Sequence, residues 1–86
     1  MNMPEIIRTV CGRVQSEVEG VKIEHDPGET VFILNGPLYF TQVVRVKWYV
    51  KPCIWIQICS EQSANDDIVN ALEEELVELK VKYTFR

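Results

Sequence analysis

The chain has 86 residues, 47% hydrophobic and 26% charged, with a formal net charge of −4. That is enough for one domain and too little for two, and too apolar for a disordered chain. The acidic balance excludes general duplex-DNA binding, which needs a basic excess to neutralise phosphates.

The first predicted element is a helix opened by Pro4, whose missing N–H falls where a helix has no partner for it. Ile6, Ile7, Val10, Cys11, Val14 and Val18 recur at helical spacing, opposite Glu5, Arg8, Thr9, Gln15 and Glu19. Gly12 sits mid-helix at a cost of about 1 kcal/mol against Ala, and close packing on the sheet is its expected reason. Gly20 suits the helix end.

Val21 to His25 alternates as a strand, and Asp26-Pro27-Gly28-Glu29 is a turn with Pro and Gly at favoured positions. Thr30 to Leu34 is the second strand. Asn35-Gly36 is a strong hairpin signal, and Pro37 begins the next strand, where a missing donor is tolerated.

Tyr39 to Cys59 is mostly β-branched or aromatic and reads as two long strands joined at Lys51-Pro52-Cys53. A two-residue loop at Asn35-Gly36 puts Val31, Ile33, Val44, Val46, Trp48 and Val50 on one face. Phe32, Leu34, Tyr39, Thr41, Val43, Arg45, Lys47 and Tyr49 then take the other. A two-residue loop at Pro52 would set Arg45 and Lys47 against Ile54, Ile56 and Ile58, burying charge. An odd-length loop or a bulge there is therefore expected. A further bulge near Val43-Val44 would shift the parity.

Ser63-Ala64-Asn65-Asp66 resembles a capping box and opens a second helix with the stripe Ile68, Val69, Leu72, Leu76 and Leu79. Lys80 to Arg86 alternates and reads as a final strand, the alternative being continuation of the helix. The order is α-β-β-β-β-α-(β). The expected fold is α+β, in a single domain over residues 1–86. Its mostly antiparallel sheet of four to five strands carries both helices on one face.

The chemistry-bearing residues are sparse. His25 is the only histidine, and a lone His without ligands at metal spacing is a poor metal site. Cys11 lies on the apolar stripe, and Cys53 and Cys59 flank one strand about 20 Å apart, so they cannot pair. No Ser-His-Asp logic and no glycine-rich phosphate loop is present. No enzyme activity and no cofactor or metal are expected. The odd cysteine count, with no apolar leader region and no apolar run of roughly 18 residues, points to a cytoplasmic chain and no membrane span.

Two surfaces stand out. The second helix carries Asp66, Asp67, Glu73, Glu74, Glu75 and Glu78 without a Lys or Arg from Ser63 to Leu79. Asp66 and Asp67 suit the positive helix start; the later glutamates do not. Glu73, Glu74, Glu75 and Glu78 are the candidates for docking a basic protein groove, such as that of a nucleic-acid-binding protein. The outer sheet face is expected to gather Lys22, Arg45, Lys47, Lys80, Lys82 and Arg86, with Lys51 adjoining and Phe32, Leu34, Tyr39, Tyr49 and Trp55 interleaved. Arg45, Lys47, Tyr49 and Trp55 are its candidate binding residues. The leading expectation is a non-catalytic inhibitor or adaptor that occupies a protein partner's surface. The sheet face also suits a homodimer, and single-stranded nucleic acid is the alternative.

Overall fold

The computed structural model describes residues 2–35, 40–48, 54–58 and 64–85, with the side chains of 35, 40–43, 64 and 65 outside that description. Helix α1 spans Met3–Glu17, followed by strands β1 (Val21–Asp26), β2 (Glu29–Asn35), β3 (Phe40–Lys47) and β4 (Ile54–Ile58). Helix α2 (Ala64–Glu78) and strand β5 (Tyr83–Phe85) complete the chain. The sheet order is β1-β2-β3-β4-β5, antiparallel except for the parallel β4–β5 pair. This is the α+β fold expected, and β5 is a short strand rather than a prolonged α2.

Local chemistry explains the element ends. Asn2 caps α1: its Oδ1 accepts from the Glu5 N–H at 2.9 Å, and its Nδ2 donates to Glu5 Oε1 at 3.1 Å. That is a side-chain variant of the capping box. Pro27-Gly28 closes the β1–β2 hairpin with Gly28 at φ +78°, as Pro followed by Gly favours. Helix α2 ends without glycine. Lys80 takes φ +57°; its N–H donates to the Val77 carbonyl at 3.1 Å, and the Val81 N–H donates to the Leu76 carbonyl at 3.0 Å. These two bonds form a Schellman motif, which turns the chain back toward the sheet. The expected cap at Ser63 lies outside the described residues.

The core gathers Ile7, Val10, Cys11, Val14 and Val18 of the α1 segment and Ile68, Ala71, Leu72 and Leu76 of α2. The helices lie over Phe32, Val44, Val46, Ile54 and Ile56. Both helices therefore pack on one face of the sheet, and their apolar stripes are where the sequence places them.

The β2–β3 register departs from the simple alternation. Phe32 stands opposite Val44 but Ile33 opposite Gln42, so Val43 is the extra residue of a β-bulge. A bulge reverses the facing of everything beyond it. Phe32, only 1% exposed, thus belongs to the core with Val44 and Val46. Val31 and Ile33 stand on the opposite face with Arg45, which corrects the parity drawn without a bulge. Leu34 also moves to the core side, where it packs on the cluster.

At the next connection the odd spacing holds. Val46 stands opposite Ile56, and Lys47 opposite Trp55, so the isoleucines share the core face with Val44 and Val46. Val46 pairs with Ile56 where a three-residue loop at 51–53 would pair it with Ile58, an offset of two residues that keeps the facing unchanged. Lys51, Pro52 and Cys53 themselves are outside the described residues.

Gly12 has another surprise. It is exposed, and a Cβ built on it would meet nothing within 4 Å. The expected close approach to the sheet is absent, and the space over Gly12 is open.

Candidate functional site

The acidic candidates are brought together by a residue outside the predicted set. Arg13 leaves the partly exposed side of α1 and reaches across to α2. Its Nη2 donates to Glu74 Oε2 at 2.7 Å, and its Nη1 donates to Glu75 Oε2 at 2.9 Å and Glu78 Oε2 at 3.2 Å. Its Nε donates to Glu17 Oε1 at 3.2 Å on its own helix. The guanidinium fork can serve several carboxylates at once because its donors diverge in one plane. The bond to Glu75 is the main influence raising the Arg13 pKa, against partial desolvation, so the cation persists at every working pH.

This network gives the later glutamates of α2 a structural task that the sequence concealed. Glu74 and Glu78, one turn apart, would repel each other on an isolated helix. Here they share a counter-charge. Four carboxylates around one guanidinium still leave three negative charges, and Glu73, which has no ion pair among the described residues, adds a fourth. Glu73, Glu74, Glu78 and Arg13 line a shallow trench of about 420 Å³ with Val77 and Tyr83. Val77 is 63% exposed in its middle.

The sheet-face candidates are placed differently. Arg45, Lys47 and Trp55 do stand on the face away from the helices, with Lys47 directly opposite Trp55. Arg45 Nε lies 2.6 Å from Glu29 Oε1. The same register puts Glu24, Asp26 and Glu29 on that face with Lys22, Arg45 and Lys47. The three acids offset Lys22, Arg45 and Lys47, and Lys82, between the core-packed Val81 and Tyr83, adds a fourth base at the β5 edge. Phe32 and Leu34 are on the other side, as above. Lys80 is in the helix-ending turn, and Lys82 precedes β5, its carbonyl accepting from the Ile54 N–H at 3.0 Å. Tyr39, Tyr49, Lys51 and Arg86 lie outside the described residues.

Val31 and Ile33 are nevertheless buried on this face, apart from the main core. Arg45 faces Val31 across the ladder and Lys22 faces Ile33. Long basic side chains in that position cover apolar surface with their alkyl stems while the charged heads stay wet.

A third region gathers residues that sequence reasoning kept apart. Helix α1 rests principally on α2 and touches β1 at few points, which leaves a groove between α1 and the β1 side of the sheet. It has a volume of about 550 Å³, with Ile7, Cys11 and Ile23 as apolar lining and Arg8, Gln15, His25 and Trp48 as its other side chains of note. Burial pushes the Cys11 thiol up to about 11, so it is protonated and unreactive at neutral pH. The one available signal in the sequence was Gly12, a mid-helix glycine, which borders this groove. Cys53 and Cys59 lie outside the described residues. Among the described residues no group of three His, Cys, Asp or Glu side chains could hold a metal, and no helix is long and apolar enough to cross a membrane.

Compared with protein-family models, curated proteins and solved structures, the chain matches none.

Proposed function

We propose that this protein is a non-catalytic protein-binding module, an inhibitor or adaptor, whose α1–α2 face receives a basic segment of a partner. The observation that carries this reading is the residual charge of the Arg13 network: one guanidinium among four carboxylates, with Glu73 beside them. Arg13 holds Glu74, Glu75 and Glu78 in place, so their remaining acceptor positions are fixed before a partner arrives. Preorganisation of this kind lowers the entropy cost of association. Val77 supplies an exposed apolar centre, and charge complementarity around it would steer encounter and set register.

Glu73→Lys combined with Glu74→Lys tests the proposal. The pair reverses the outer charge while leaving Arg13 bound to Glu75 and Glu78. Cross-linking capture from native lysate, with nuclease present, is expected to recover a basic protein on the parent chain and to lose it on the double variant. Equal recovery by both would remove this face from the interaction.

A further inference from the structure

The groove between α1 and β1 has a feature that the acidic face lacks: a chain of hydrogen bonds that sets a donor toward open space. Thr30 is buried, 1% exposed, yet its hydroxyl has two partners, Trp48 Nε1 at 3.2 Å and His25 Nδ1 at 2.9 Å. An indole N–H can only donate, so the Thr30 oxygen accepts from Trp48. Its second contact is to His25 Nδ1, and in the tautomer where Nδ1 accepts, the Thr30 hydroxyl proton goes to that nitrogen. In that tautomer the ring proton sits on Nε2, the nitrogen turned away from Thr30. His25 is exposed and lines the groove, so Nε2–H is left as a donor to whatever occupies it. The same chain clamps the Trp48 ring at the groove wall.

Two further observations define the occupant. Arg8 also lines the groove and has no ion pair among the described residues, in a chain with four more acids than bases. Beside it, the absence of a side chain at Gly12 keeps the space over α1 open. A fixed N–H donor and a guanidinium call for an oxyanion; Trp48, Ile7 and Ile23 call for a ring. The volume of about 550 Å³ falls within the small-molecule range.

We propose that this groove binds a small aromatic carboxylate. Arg8 and His25 Nε2–H take the carboxylate, and the ring lies against Trp48 over Gly12. This site is independent of the acidic face.

Titration of the ¹⁵N-labelled full chain with indole-3-acetate, and separately with neutral indole-3-acetamide, tests it. Saturable shifts are expected at the Gly12 amide and the Trp48 indole N–H, with a dissociation constant of about 1 mM for a ligand of this size. The amide should bind roughly tenfold more weakly, because the charge-assisted bonds are lost. Arg8→Gln should lower acetate affinity by about the same factor and leave the amide unchanged. Gly12→Leu, which fills the open space on a helix that accepts leucine readily, should abolish binding of both. No saturable shift at about twenty times the expected dissociation constant would overturn the proposal. So would equal affinity for acetate and amide, or acetate binding unaltered by Arg8→Gln.

Discussion

Arg13 Nη1 donates to Glu75 Oε2 at 2.9 Å, joining residues 62 apart in sequence and tying α1 to α2 beside the core. Glu75 is the most buried of the four carboxylates around Arg13, with its side chain 13% exposed. Without the guanidinium, Glu17, Glu74, Glu75 and Glu78 would face one another uncompensated. Arg13→Met is therefore expected to lower Tm, and Arg8→Met, which breaks no ion pair among the described residues, to change it little. The Arg13 effect should shrink between about 0.05 M and about 1 M NaCl, as the Debye length falls to about 3 Å. Thermal melts at both salt concentrations check this; a salt-independent difference would mean that lost packing, not charge, is responsible.

Lys80 holds a left-handed backbone, φ +57°, at the end of α2. A side chain there is strained by its own Cβ, and glycine is not. Lys80→Gly is expected to raise stability by about 1 kcal/mol, and Lys80→Val to lower it by at least as much. Urea unfolding of the two variants reads both signs. Stabilisation by valine would contradict the Schellman geometry.

Phe32 reports on the bulge at Val43. With the bulge it is a core residue, and Phe32→Ala should cost about 3–5 kcal/mol. On the register without a bulge it would stand on the outer face beside Arg45, away from the helices, and Phe32→Ala would leave the contacts of α1 and α2 intact. Urea unfolding checks the stability loss, and amide shifts of Val10 and Leu72 in the variant distinguish the two pairings of β2 and β3.

Cys11 links stability to alkaline pH. Burial raises its pKa from the ordinary 9.0 to about 11, so the folded state retains a proton that the unfolded state releases. Fewer protons on the unfolded chain mean that stability falls as pH rises. The contribution is constant below pH 9, declines between about 9 and 11, and amounts to about 2–3 kcal/mol in all. Urea unfolding of the parent chain and Cys11→Ala across that range should show the two curves converging by this amount. Parallel curves would contradict the burial of the thiol.

Periodicity, with local turn chemistry, determined most elements of this protein. Val10, Val14, Leu72 and Leu76 are buried because apolar residues at helical spacing have one face to hide. Asp26-Pro27-Gly28-Glu29 is a turn because its backbone demands are local. Even the odd spacing between β3 and β4 was legible, since the alternative would bury Arg45 and Lys47 among isoleucines. What tertiary structure decided was anything that depends on two distant segments meeting. One extra residue, Val43, sent Phe32 inward and Val31 outward; the sequence marked Val43-Val44 as a place for a bulge, but only the pairing of β2 with β3 decided that it forms. The acidic run of α2 acquired its counter-charge from Arg13, on a helix that sequence separation places far away. Thr30 joined His25 to Trp48 only once β1, β2 and the end of β3 lay side by side. Charge and hydrogen-bond satisfaction are properties of the assembled neighbourhood, so the sequence supplied the groups, and the packing of α1 against α2 and the sheet chose their partners.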